Sequence, residues 1–115
     1  MNDTVSLKEN RQFRRLYAKG KSVVGPCFVL YCRKNRLENN RLGITVGGKL
    51  GNAVTRNRIR RRMREIYRIH ESEFSTGFDL VAVARVRALH TDFAKLEREF
   101  LAHMDKLGLL KRDAG

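Results

Sequence analysis

A chain of 115 residues is long enough for one domain with a modest core, and 42% hydrophobic content excludes a disordered basic tail. The net charge of +13 is unevenly spread: residues 1–68 carry 18 Lys and Arg against 4 Asp and Glu, whereas residues 69–115 carry 7 against 8. A polyanionic partner, nucleic acid or an anionic membrane, is therefore expected on a surface built from the first two-thirds of the chain.

In chain order, Ser6-Leu7-Lys8-Glu9 has the S-x-x-E pattern of a capping box and predicts a helix start. Phe13, Leu16 and Tyr17 form the apolar stripe of that helix, and Gly20 is its expected C-cap. Phe13 and Tyr17 suit either core packing or ligand binding. Lys21 to Val24 can count as a short strand, followed by a Gly25-Pro26 turn. Cys27 to Arg33 reads as a strand with Phe28 and Leu30 on one side and Val29 and Tyr31 on the other. Asn35 to Asn40 is a polar turn and Arg41 to Val46 the next strand, an arrangement that suggests an antiparallel hairpin. Cys27 and Cys32, five apart, would lie on opposite faces of a strand and cannot bridge locally, so two reduced thiols are expected.

Gly47 to Asn52 is a glycine-rich loop. Gly43-x4-Gly48-Lys49 fits part of a phosphate-loop pattern, but Leu50 stands where Ser or Thr must hold magnesium, and Gly43 lies mid-strand. Nucleotide hydrolysis is not expected. The loop leads into Gly51 to Arg68, GNAVTRNRIRRRMREIYR, which holds seven arginines between Arg56 and Arg68 against one acid, Glu65. At 100° per residue Ile59, Met63, Ile66 and His70 share one side; Asn57, Arg61, Arg64 and Arg68 share the other, flanked by Arg58 and Arg60. Such a helix spans about 25 Å. Exposed helices usually interleave acids with bases, and this one does not, so its charge calls for an external anion.

The helix fades by Ser72, and Ser75-Thr76-Gly77 forms its exit. Phe78 to Ala84, FDLVAVA, is continuously apolar, as a strand covered on both faces would be. Thr91-Asp92 begins a last helix with the stripe Phe93, Leu96, Phe100, Met104 and Leu107, ended by Gly108, and Lys111 to Gly115 should fray. The order α-β-β-β-α-β-α makes one α+β domain spanning 1–115, ordered from about 6 to 110. Ile59, Met63 and Ile66 suit burial in a protein core better than a bilayer surface, and no run reaches transmembrane length. A soluble, cytoplasmic protein without a membrane partner is expected. The acids are scattered, and His70, His90 and His103 lie far apart, so neither a catalytic residue nor a metal site is expected on this chain. His70 reads as a partly buried structural residue.

Taken together, Lys49-Leu50-Gly51-Asn52-Ala53-Val54-Thr55-Arg56-Asn57-Arg58-Ile59-Arg60-Arg61, the upstream Phe13 and Tyr17, the Phe28-Val29-Leu30-Tyr31 strand and the later FDLVAVAR segment resemble the protein subunit of bacterial ribonuclease P, from about Leu7 to Leu110. The resemblance implies a single four-stranded sheet with three helices, similar to a ribosomal-protein domain, with the arginine helix in a left-handed β-α-β crossover. It implies removal of the 5′ leader from precursor tRNA, with Mg2+ held mainly by the catalytic RNA subunit and no protein partner required. By position, Arg56, Asn57, Arg58, Arg60, Arg61, Arg64 and Arg68 would contact that RNA, while Phe13, Tyr17, Val29, Tyr31 and Thr45 would hold the single-stranded leader. Lys49 and Asn52 would serve the RNA contact where the two surfaces meet. The family often has Ser and Lys where this chain has Gly47 and Gly48, a departure that removes two side chains from the loop. A noncatalytic RNA-binding protein of ribosomal type and a DNA-binding protein are the alternatives.

Overall fold

A computed structural model describes residues 4–111. Its elements are β1 (Val5–Ser6), α1 (Asn10–Lys19), β2 (Lys21–Val24), β3 (Phe28–Lys34), β4 (Arg41–Thr45), α2 (Ala53–His70), β5 (Phe78–Ala84) and α3 (Phe93–Lys106). They build one mixed sheet in the order β1-β4-β5-β3-β2. The sheet thus has five strands where four were expected. The extra one is Val5–Ser6, which pairs parallel with Arg41 and Leu42.

That strand also corrects the first helix boundary. Ser6 lies in β1, and the N-cap of α1 is Glu9, whose side chain and that of Gln12 bond each other's backbone N–H in a reciprocal box. The box is real but sits three residues later, because Ser6 is committed to the sheet edge. Gly20 is the C-cap as expected, though with extended backbone (φ −79°). Glycine is needed there for close approach: a Cβ would lie 2.6 Å from the Leu16 carbonyl oxygen and 2.8 Å from that of Cys32.

The expected β3–β4 hairpin does not form. β5 runs between the two strands, antiparallel to β3 and parallel to β4. FDLVAVA is the most apolar segment, and the centre of the sheet buries it on both faces. The polar turn spans the gap: the Asn35 side chain bonds within it and to Asp79 at 3.1 Å, and the Asn35 N–H donates to the Gly77 carbonyl. The hairpin in the structure joins β2 and β3 around Gly25-Pro26.

Strand parity divides the molecule into layers. Phe28, Leu30, Cys32, Leu42, Leu80 and Ala82 face α2 and α3 in the main core; Val81 faces α1 with Leu7 and Leu16. Cys27 precedes β3, so strand parity does not govern it; both cysteines are buried, free thiols, raised in pKa chiefly by burial. Thr91-Asp92 introduces α3 as expected, with Asp92 capping the Lys95 N–H at 2.9 Å. The chain leaves α3 through Gly108 at φ 74°, and the Lys111 N–H bonds the Glu73 carbonyl at 2.7 Å, so Lys111 is tied down rather than frayed. Residues 112–115, also expected to fray, lie outside the described residues.

Buried polar groups staple the layers. Asn40 donates to the Tyr67 hydroxyl and the Ser75 carbonyl and accepts from the Phe78 N–H, which fixes the start of β4 against α2 and β5. The Glu99 carboxylate accepts the N–H groups of Cys27 and Phe28, fastening α3 to the β2–β3 turn. His70, partly buried as expected, places one ring nitrogen 2.5 Å from Glu73 and the other 2.8 Å from Glu97. Both partners are acceptors when ionised, so the doubly protonated ring satisfies both bonds. Burial acts to lower the imidazole's pKa, but the hydrogen bonds to Glu73 and Glu97 outweigh it and the ring titrates above its ordinary 6.5. Its stabilisation is therefore complete below that ordinary value and is lost as pH rises through the higher folded one. His70→Gln should lower stability by about 1 kcal/mol at mildly acidic pH, and denaturant melts should show the deficit shrinking towards alkaline pH. A deficit constant with pH would mean a neutral ring.

Candidate nucleic-acid interface

The arginine helix starts where Gly51 (φ 138°) reverses the chain and the Asn52 Oδ1 accepts the Thr55 N–H at 2.9 Å. Asn52 is thus first an N-cap. Ile59, Met63, Ile66 and Tyr67 are buried. Tyr67 occupies the core position assigned from periodicity to His70, because its hydroxyl finds Asn40 and, at 2.8 Å, Thr4. Asn57, Arg58, Arg61, Arg64 and Arg68 are exposed, while Arg56, Arg60 and Arg62 are half-buried.

Their electrostatics differ. Among the described residues, Arg58, Arg61, Arg62 and Arg64 form no ion pair. Arg68 is clasped by Glu65 through bonds of 2.9 and 2.5 Å, which lower the Glu65 pKa and raise that of Arg68. Arg68 is therefore less available than the spacing implied. Arg60 donates to the Asn57 Oδ1 at 2.8 Å, and the Arg56 Nε is buried without a hydrogen bond. Arg58, Arg61, Arg62, Arg64 and Arg68 line an open groove of about 620 Å³ against Phe93. Arg62 and Phe93 were missed. At 100° per residue Arg62 falls beside the buried stripe, and Phe93 reads as core; the i,i+4 spacing of Arg58 and Arg62 was the available signal.

The second surface lies on the opposite sheet face, under α1. Phe13 sits over Gly43, where a Cβ would come within 2.8 Å of the ring. Tyr17 meets Tyr31 edge-on at 4.9 Å between centroids, and Phe13 stands 6.5 Å from Tyr17. Thr45, Val83 and Val29 form one row across β4, β5 and β3. The structure thus gathers Phe13, Tyr17, Val29, Tyr31 and Thr45 on one face. Asn10, Phe13, Arg14, Tyr17 and Thr45 line a groove of about 470 Å³. Val83 was missed because a continuously apolar strand does not reveal which residues stay half-open. Phe13 both packs and lines the groove, and Tyr17 remains 41% exposed, enough to offer a ring face.

Between the surfaces, the chain passes from Thr45 through a single tight turn, Gly48–Leu50, to Asn52. Leu50 anchors the turn in the core and leaves Lys49 exposed. Side chains added at Gly47 or Gly48 would meet nothing within 4 Å, so neither glycine is required by packing. Many acids have structural tasks: Asp79 holds Arg41, Glu99 holds backbone amides, Glu73 and Glu97 hold His70, and Asp92 and Glu9 cap helices. Among the described residues no three His, Cys, Asp or Glu gather to hold a metal ion, and no helix is long and apolar enough to cross a membrane.

Fold and charge together define a basic α+β protein with an exposed face of arginines on α2. Residues 1–108 match the family model for ribonuclease P. The chain is 42% identical over 113 residues to the ribonuclease P protein component of Natranaerobius thermophilus, covering 98% of each chain. It is 36% identical to that of Alkaliphilus metalliredigens, covering 96% of this chain and 99% of the relative. Among solved structures, the RNase P protein of Staphylococcus aureus superposes with a TM-score of 0.85 at 34% identity, covering 92% of this chain and 97% of that one. The Thermotoga maritima protein superposes at 0.78 and 34% identity, covering 84% and 92%. The chain belongs to the bacterial ribonuclease P protein family, and so is a protein subunit of that endoribonuclease.

The seat of Phe13 is testable. Gly43→Val forces the ring off β4 and should cost about 1–3 kcal/mol, read in denaturant melts. Phe13→Ala in the same background should recover part of the loss; no recovery would show that the ring does not rest on Gly43.

Proposed function

We propose that the two surfaces divide the work of the enzyme. As a ribonuclease P protein the chain partners the ribonuclease P RNA, and the arginine face of α2 is the grip for it. Arg56, Asn57, Arg58, Arg60, Arg61 and Arg64, joined by Arg62, Lys49 and Asn52, meet its phosphates, with Arg68 joining when Glu65 releases it. Guanidinium forks bind phosphate bidentately and can follow a folded backbone by shape. The α1 groove takes the single-stranded 5′ leader of precursor tRNA: Phe13, Tyr17 and Tyr31 offer ring faces to unpaired bases without demanding a sequence, beside Val29 and Thr45. Leader removal then yields the mature tRNA 5′ end. Many carboxylates among the described residues are engaged in folding, which fits Mg2+ and the hydrolytic step residing on the RNA. A cytoplasmic setting, with no further protein partner, completes the reading.

One observation carries it: a face on which Arg58, Arg61, Arg62 and Arg64 have no ion pair among the described residues and an open aromatic groove occupy opposite faces of one sheet. The RNA subunit and the substrate leader can be held at once without competing. In a holoenzyme reconstituted with a ribonuclease P RNA, Tyr17→Ala should weaken precursor tRNA by roughly tenfold, within the range of about 1–3 kcal/mol per stacked base. Mature tRNA should be nearly unaffected; equal losses would refute the leader groove. Arg61→Ala with Arg64→Ala should lower the log–log salt slope of RNA-subunit binding by up to about two. An unchanged slope would mean that α2 does not touch phosphates.

A further inference from the structure

α1 has a second flank, and a second pocket lies there. About 330 Å³ in volume, it is bounded by Gln12, Arg15 and Leu16 of α1, by Arg33 to Arg36 at the end of β3, and by the Arg41–Asp79 pair. The row Arg41, Asp79, Arg33 crosses β4, β5 and β3 just as Thr45, Val83 and Val29 do at the aromatic groove. Four residues of β4 separate the rows, about 13 Å at about 3.3 Å per residue. Both pockets therefore open on the same sheet face, one on each side of α1.

Charge distinguishes this pocket. Its one acid is already matched: Arg41 grips both oxygens of Asp79 at 2.6 and 2.7 Å, and the Asn35 amide adds a bond at 3.1 Å. Nearby Glu9 is bonded to Arg11. Arg15, Arg33, Lys34 and Arg36 remain without an ion pair among the described residues. Arg36 takes a left-handed backbone (φ 61°), uncommon for a residue with a long side chain. Among the described residues no aromatic ring lines the pocket, and Leu16 is its only apolar side chain. It can neutralise oxyanions but offers no aromatic ring on which a base could stack.

We infer that this pocket binds backbone phosphates of the same single strand whose bases occupy the aromatic groove, which extends the RNA track across α1; the inference rests on the leader reading of that groove. Bases stack on one flank, and phosphates a few nucleotides further out are held on the other. Leaders too short to cross α1 do not reach it.

The test uses the reconstituted holoenzyme and precursor tRNAs with leaders of about three nucleotides, below the roughly 4–16-nucleotide span of single-strand sites, and of about ten, within it. Arg33→Ala with Arg36→Ala removes two cations whose side chains make no hydrogen bond among the described residues, and Arg36→Glu is the charge-reversed check. The double variant should bind the long-leader substrate about tenfold more weakly, with a salt slope lower by about one to two, and leave the short-leader substrate unchanged. Equal loss for both leaders would place the pocket on the catalytic RNA or the tRNA body and overturn the inference, as would no loss for either. Tyr17→Ala, run alongside, separates the two failures. If it discriminates precursor from mature tRNA while the arginine variants show no length dependence, the pocket alone is refuted. If it does not discriminate, the groove reading itself falls.

Discussion

The anchoring of one side of α2 in the core governs the rest of the molecule. Ile59, Met63, Ile66 and Tyr67 are buried at 4%, 2%, 0% and 0% exposure. Burying a large apolar side chain stabilises by about 1.5–3 kcal/mol, while a like-charge pair one turn apart costs about 0.2–0.5 kcal/mol. The anchored side therefore outweighs the repulsion among arginines, and the helix can keep a cationic face with a single acid, Glu65, set against it. Its rotation follows from the same contacts, since turning the stripe inward turns Arg58, Arg61 and Arg64 outward.

The central strand then supports both candidate faces. β5 sends Leu80, Ala82 and Ala84 towards α2 and α3, and Val81 and Val83 towards α1. A residue added or lost in β5 would exchange those sets and disturb both surfaces together. Gly43, in the neighbouring strand, admits the Phe13 ring, so the aromatic groove depends on a missing side chain as much as on those present.

The placement of acids explains how so basic a protein holds its shape. Carboxylates cap helices, clasp His70, bind amides of the β2–β3 turn and pair with Arg41. Spent inside the fold, they leave the outer faces of α1 and α2 almost unopposed. The carboxylates that hold the fold and the arginines left without an ion pair among the described residues are thus largely separate sets, with Asn52 and the Arg60–Asn57 bond on the border.

Much was legible in the chain itself. Helical periodicity located the arginine face and the α1 stripe, apolar continuity marked β5 as interior, and the Arg56-Asn57-Arg58 segment in its context carried the family. These patterns arise between residues a few positions apart, whose energetics the local order of side chains determines. The order of strands was not legible: β5 enters between β3 and β4, and Val5–Ser6 adds a fifth strand that displaces the helix start to Glu9. Nor were Arg62, Phe93, Val83 and the Arg68–Glu65 clasp read as parts of the surfaces they shape. Each depends on which distant segments compete for the same sheet edge or the same water-free space, and local patterning leaves those alternatives nearly equal until the whole chain has packed.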